Sequence, residues 1–300
     1  MSEYTVLYDE PGPRARRRSL VGGLLATGVI AALVAVAVAR LASQGQFDSA
    51  LWSPILNPSD EYFADVWNLI GEGALATAKA AVLAIAFSLA LGTVIGVGRM
   101  MLGRWSRVPL VAVMEVLRGL PVVISIYFAS RVLPELGVDL SGMPGGEGLW
   151  FVVIGLTAYN CVIIAEILRA GVASLPRGQR EAALAIGLAP GATMRLVLLP
   201  QAVRTMLPAL ISQMVVILKD TSLGAVLGIY TELLRQANLI ALNLKNPIQI
   251  LLVAGLMFIA INYALSRLAR AIEGRGARRT VTDDGEAPTP LDLPLGDTQR

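Results

Sequence analysis

The sequence predicts an all-α, polytopic membrane protein of about six transmembrane helices, with both termini in the cytoplasm. Three observations carry that prediction. First, the 300 residues are 55% hydrophobic and only 16% charged, with a mean hydropathy of +0.65. Soluble domains run at roughly 45–50% apolar and about 25% charged. Second, apolar runs recur that reach the roughly 20 residues needed to cross a bilayer. Third, arginine fills every other loop, which fixes orientation.

The first run, 20–41, follows Arg14, Arg16, Arg17 and Arg18 in a cytoplasmic segment, 1–19. It is longer than the apolar region of a signal peptide, and Ala39-Arg40-Leu41-Ala42 is a poor cleavage site, so it is expected to stay as an anchor. An external loop follows at 42–71, with Asp48, Asp60, Glu61 and Asp65 but no Lys or Arg after Arg40. Its Tyr62, Phe63 and Trp67 fit an interfacial aromatic belt. The second span is expected at 73–97 and the third at 108–133, joined by a loop with Arg99, Arg104 and Arg107. The outer loop 134–148 is acidic, with Glu135, Asp139 and Glu147. The fourth span, 149–167, is interrupted only by Asn160 and Glu166. A long arginine-bearing loop leads to the fifth span, 206–229, which contains Lys219 and Asp220. The sixth is expected at 247–268. The tail, 272–300, holds Arg275, Arg278 and Arg279 and then turns rich in Pro, Asp, Gly and Thr, which reads as disordered cytoplasmic chain.

What is missing narrows the chemistry. The chain has no histidine, so a Ser-His-Asp triad, a His metal site and an imidazole relay are all excluded. Cys161 is the sole cysteine, which excludes intrachain disulfides and zinc or iron–sulfur clusters. The three lysines, Lys79, Lys219 and Lys245, stand in no GxxxxGK loop, so any ATP must be bound by another subunit. No catalytic, metal-binding or nucleic-acid-binding residues are expected.

The cytoplasmic stretch 174–200 is too polar to span and too rich in helix formers to be a linker. Residues 181–186 favour a short helix, Gly187 a left-handed cap, Pro190 the first turn of a second helix, and Pro200 a break before the next span. Glu181 is expected to complement the helix dipole and to accept hydrogen bonds that fix the turn. Ala182 and Ala183 would let another protein approach closely.

Glu181-Ala182-Ala183, then Gly187, then Val197-Leu198-Leu199-Pro200 resembles the EAA motif of ABC importer permeases. The flanks resemble the polar amino acid branch of that family. These are Glu115 with Arg118-Gly119-Leu120-Pro121, Ala158-Tyr159, Ala165-Glu166-Ile167-Leu168-Arg169-Ala170-Gly171, and Lys219-Asp220-Thr221-Ser222-Leu223. The resemblance covers a core at 72–271, and glutamate-uptake permeases of this kind can carry an extra N-terminal helix. It implies a type I ABC importer core of five helices, plus that extra one, in a bacterial-type plasma membrane. It implies three partners: a dimer of ABC ATPase subunits, a second permease chain in a heterodimer, and an extracytoplasmic binding protein for a polar amino acid such as glutamate. ATP and Mg would be bound by the ATPase, with no cofactor on this chain. Glu181, Ala182, Ala183 and Gly187 would form the coupling surface. An ion-coupled secondary amino acid transporter is the alternative.

Charged groups within spans default to functional readings, because lipid burial is expensive. Glu115 and Arg118, and again Glu166 and Arg169, have the i, i+3 spacing of a pair on one helix face and are expected to be structural or gate residues. The second pair would anchor the coupling loop. Lys219 and Asp220 are adjacent and cannot face each other unless the helix breaks there. Asp220 is grouped with the structural residues. Thr157, Tyr159, Asn160, Gln213, Lys219, Thr221 and Ser222 are candidates for a polar substrate pathway in midmembrane, with an interhelical polar clamp as the other reading. Lys79 is expected to snorkel to the outer interface.

Overall fold

A computed structural model describes residues 12–281, with side chains through residue 271. Among the described residues the chain is helical, without strands. The helices are α1 (Pro13–Ser43), α2 (Ser49–Leu56), α3 (Phe63–Met101), α4 (Arg107–Gly119), α5 (Val122–Glu135), α6 (Glu147–Ser174), α7 (Arg177–Ala185), α8 (Pro190–Thr193), α9 (Leu199–Asp220), α10 (Leu223–Val226), α11 (Leu233–Leu244) and α12 (Pro247–Val281). A π-helical segment, Met194–Leu198, joins α8 to α9. Five helical stretches are long and apolar enough to cross a membrane, six if the bent pair α4–α5 is one crossing.

The hub is α6, packed between α3, α5 and α9. Lipid tails are as apolar as leucine, so helices in a bilayer associate by close contact rather than by hydrophobic exclusion. The buried stripe of α3 reflects this: Thr77, Ala80, Ala84, Ser88, Gly92 and Gly96 are all small. At Gly92 a Cβ would lie 2.7 Å from the Cys161 carbonyl oxygen, so only glycine lets the α3 and α6 backbones approach this far. Ile126, Val152, Val153, Leu156, Ile164, Leu168, Leu210 and Ile217 fill the rest of this core. A second core at the outer end joins Ile55, Val66, Ile70, Leu233, Ile240 and Ile250. There Gln249 Nε2 donates to the Gln46 carbonyl (2.7 Å) and Asn246 Nδ2 to the Leu51 carbonyl (3.2 Å), tying α12 to the external loop. In contrast, α1 buries none of its residues.

Four expectations change. The third span is not one helix, because α4 and α5 meet at a 105° bend. Pro121 has no N–H and pushes Leu120 out of the helical region, to ψ 133°. Two helices at that angle cannot both stand along the membrane normal. Secondly, Pro200 does not break the chain. It sits in the first turn of α9, and the π segment before it absorbs the register change, with the Leu199 N–H donating to the Met194 carbonyl. Gln201 Nε2 then donates to the Val197 carbonyl (3.0 Å). Thirdly, the fifth span ends at Asp220 rather than continuing to 229, and α11 returns toward the outer end after the short α10. Helix α12 extends to Val281, ten residues into the segment expected to be tail, and residues 282–300 of that tail lie outside those described.

Candidate functional site

The cytoplasmic loop folds as the sequence implies. α7 ends in a left-handed turn at Gly187 (φ +84°), whose N–H donates to the Leu184 carbonyl (3.0 Å) while the Leu188 N–H donates to the Ala183 carbonyl (3.2 Å). That pair of bonds is a Schellman cap. Pro190 opens α8. Glu181 lies in the middle of α7, is exposed, and makes no hydrogen bond or ion pair among the described residues. It therefore does not fix the turn, because the backbone cap already does so. Ala182 and Gly187 are exposed, but Ala183 is buried at 4% and faces its own chain, against the expectation of a docking contact. The large apolar groups exposed on α7 and its cap are Leu184 and Ile186, the latter 79% exposed. The sequence carried a signal for them, since two large apolar residues beside a polar motif on a short cytoplasmic helix have to pack somewhere.

Above the loop, Glu166 on α6 accepts from Arg169 Nε (2.8 Å) and also pairs with Arg99 on α3. The expected i, i+3 pair is thus a triad that pins the cytoplasmic ends of two spans. Arg99 appeared in the sequence only as a topology charge. Glu115 and Arg118 pair with each other on the exposed side of α4.

The seven pathway candidates do not converge on one pocket. Asn160 is fully buried; its Nδ2 donates to the Leu156 carbonyl (2.8 Å), and its Oδ1 accepts from Gln213 Nε2 (2.6 Å). This is a clamp between α6 and α9. The Thr157 hydroxyl, one turn away, is buried without a partner. Tyr159 is half-buried. Thr221 is fully buried and donates to the Leu218 carbonyl (2.7 Å), so its hydroxyl closes the end of α9 rather than lining a path.

Lys219 and Ser222 sit elsewhere, in a cavity of about 370 Å³ against α11 and α12. Leu234, Gly255, Phe258 and Asn262 line it as well. Positions 255–262 lie eight to fifteen residues into α12, roughly 12–22 Å from its outer end at 1.5 Å per residue. That is the middle of a hydrocarbon core about 30 Å thick. Lys219 is exposed and has no ion-pair partner among the described residues. Asp220, its neighbour, is half-buried, and the helix breaks directly after it. Lys79 is exposed on α3, sixteen residues from Phe63.

One buried acid is new. Glu232 is fully buried and caps α11, its carboxylate accepting from the N–H groups of Leu234 and Arg235 (both 3.0 Å) and from the Thr77 hydroxyl (3.3 Å). The Tyr230 hydroxyl donates to the Ala76 carbonyl (3.1 Å). The sequence held a cue in Thr231-Glu232 before an apolar run, masked by placing this segment in an outer loop.

These residues form a helical membrane bundle that presents an exposed, capped helix beyond its spans. Comparison with known proteins agrees. Residues 84–277 match the family described as binding-protein-dependent transport system inner membrane component. The glutamate transport system permease protein GluD of Corynebacterium glutamicum is 39% identical over 83% of this chain and 89% of its own length. The probable glutamine ABC transporter permease protein GlnP of Bacillus subtilis is 35% identical over 72% of this chain and 96% of its own. The solved structure titled as an amino acid ABC transporter with histidines superposes with a TM-score of 0.62 at 25% identity, covering 71% of this chain and 96% of that one. The chain belongs to the binding-protein-dependent transport permease family, in its polar amino acid branch. It is a multi-pass plasma-membrane permease of an amino acid ABC importer.

Proposed function

We propose that this chain forms half of the translocation pathway for a polar amino acid, glutamate first, and that Lys219 receives the substrate carboxylate. The observation that carries the reading is an exposed lysine at midmembrane depth with no acid paired to it. An unpaired charge at that depth is costly unless it faces water, a substrate or a partner chain. Asn262 supplies a complementary acceptor, since its Nδ2 donates to the Phe258 carbonyl (2.7 Å) and its Oδ1 has no partner. An amino acid could place a carboxylate on Lys219 and its ammonium on Asn262. The 39% identity to a glutamate permease is what supports glutamate as the first candidate.

In this reading the other half is a sister permease, making a heterodimer, and α1 is free to contact it. An external binding protein delivers the substrate. A partner ATPase pair binds ATP and Mg and docks on Glu181, Ala182, Gly187, Leu184 and Ile186. The exposed loop favours this ATP-driven scheme over ion-coupled transport. The test is uptake into proteoliposomes holding the full complex. Lys219→Gln is expected to leave the complex assembled and to reduce glutamate uptake at least about tenfold, the loss of one charge-assisted contact. If Lys219→Gln and Lys219→Ala both fail to assemble, the lysine is an interchain clamp and the pocket reading is wrong.

A further inference from the structure

A second cavity lies where the cytoplasmic ends of α3 and α6 meet α4 and α7. Its volume is about 660 Å³. Arg99, Arg107, Arg169, Arg177 and Arg180 line it, and no acidic side chain among the described residues does. The five come from four different helices. The topology rule explains why arginines occur in cytoplasmic loops, but not why five converge on one hollow, since like charges spread apart when nothing holds them. Glu166, just outside the lining, forms ion pairs with two of them, Arg99 and Arg169. Arg107, Arg177 and Arg180 have no carboxylate partner among the described residues.

The other walls are apolar, with Met101, Val111, Leu175, Met194 and Leu198 among them. The adjoining segment leaves Leu102, Trp105 and Val108 exposed at 40%, 83% and 57%. Arg104 lies over the Trp105 ring, 6.0 Å from its centroid. An exposed tryptophan with a basic neighbour marks the level of the headgroups. Cationic rim, apolar floor and headgroup depth together describe a receptor for a phosphate carried on an acyl chain. Basic pockets between helices on the cytoplasmic side have this chemistry.

We propose that this cavity binds a phosphate-bearing anion, and that the bound species is an anionic phospholipid of the inner leaflet. Arg177 and Arg180 belong to α7, so the lipid would bridge the membrane spans to the loop that carries the EAA motif. The arginine planes suit phosphate because each can present two parallel N–H donors.

The experiment is native mass spectrometry of the full chain in mild detergent, titrated with dihexanoyl phosphatidylglycerol, dihexanoyl phosphatidylcholine or sodium phosphate. Phosphatidylglycerol should be retained roughly tenfold better than phosphatidylcholine, as expected for several arginines at one headgroup. On the unmodified chain, 0.5 M NaCl should remove most of that preference, because screening shortens the range of the charges to a few ångströms. The double variant R107Q/R177Q should lose it, the double variant R107K/R177K should keep most of it, and R131Q, at the outer end of α5, should not change it. Equal retention of the two lipids overturns the proposal, as does a preference untouched by salt. Displacement by millimolar phosphate alone overturns the lipid assignment in favour of a soluble phosphate. Loss of the lipid when the partner ATPase is added shows that the ATPase fills the cavity, and overturns it too. The salt and lipid arms need no variant, so misfolding of R107Q/R177Q leaves the proposal decidable.

Discussion

Replacing Gln213 by leucine separates the two readings of the midmembrane polar groups. The side chain is half-buried and its Nε2 donates to Asn160 Oδ1 at 2.6 Å, across the α6–α9 contact. Asn160 is completely buried, so no water replaces the lost donor. Leaving a buried acceptor unpaired costs about 1–3 kcal/mol in soluble proteins. Interhelical hydrogen bonds in membranes average about 0.6 kcal/mol and reach about 1.7. The Thr157 hydroxyl blunts the loss. It is buried without a partner three residues before Asn160 and on the same face of α6, which puts a spare donor on that side of the helix. Gln213→Leu is therefore expected to cost about 1 kcal/mol, and Gln213→Leu with Thr157→Val about 1.5–2. Asn160→Leu with Gln213→Leu removes both partners and should cost less than the sum of the singles, with a coupling of about 1 kcal/mol. The assay is SDS-induced unfolding of the purified chain in mixed micelles, alongside substrate KM in proteoliposomes. The reasoning fails if the singles add within about 0.3 kcal/mol, or if Gln213→Leu raises KM tenfold while stability is unchanged. Either result would move Asn160 and Gln213 from the clamp to the substrate path.

Three further substitutions follow from the packing and the caps. At Gly155 a Cβ would stand 2.5 Å from the Ile126 Cα, a backbone atom that no rotamer change can move, so Gly155→Ala should cost about 1–3 kcal/mol or more in unfolding and loosen α5 from α6. Gly187→Ala forces a Cβ into the left-handed region at φ +84°, a penalty of about 1–2 kcal/mol, in a loop with open space around it. It should leave global unfolding nearly unchanged while reducing binding-protein-stimulated ATP hydrolysis several-fold, and a normal hydrolysis rate would count against α7 as the coupling element. Glu232→Ala leaves the Leu234 and Arg235 N–H groups without their acceptor, while the Thr77 hydroxyl keeps the Gly73 carbonyl (3.0 Å), and should lower stability by about 0.5–2 kcal/mol, while Glu232→Gln, which keeps one oxygen, should lose less.

Legibility followed range. The Gly187 cap, the Pro190 start and the Glu115–Arg118 pair rest on residues within five positions of one another, and each was readable from the sequence. The Arg99–Glu166 bridge joins positions 67 apart and the Thr77–Glu232 contact positions 155 apart, so no local pattern could announce them. Hydropathy placed the spans but not their interruptions. Residues 108–133 are apolar enough to cross, and the Gly119-Leu120-Pro121 signal was read as part of a motif rather than as the corner it makes. Ala183 shows the limit of motif reading from the other side. Within three adjacent motif residues, Glu181 and Ala182 face out and Ala183 faces in, because successive helix positions turn by about 100°.

The end of α9 ties the fold to the site. A helix that stops at Asp220, in midmembrane, exposes backbone groups where lipid offers none in return. The structure satisfies them locally. Thr221 and Ser222 return their hydroxyls to the Leu218 and Lys219 carbonyls (2.7 and 2.8 Å), and the Gly224 carbonyl takes the N–H groups of Ile229 and Tyr230 (3.0 and 3.3 Å). Glu232 then serves the first N–H groups of α11 at the same depth. Tyr230 and Thr77 lock this turn to α3. Irregular backbone at this level persists only where protein or a water-filled cavity surrounds it, and the cavity beside Lys219 is where this turn opens. The polar residues at 219–222 and 230–232 therefore divide their work. Thr221, Ser222 and Glu232 keep the break in place, and in the proposed reading that leaves the Lys219 ammonium to meet the substrate. Removing the Glu232 cap should disturb transport even though Glu232 touches no substrate, whereas Lys219→Gln should disturb transport without lowering stability. If both variants lost stability to the same degree, the division of labour would be wrong and Lys219 would belong to the scaffold.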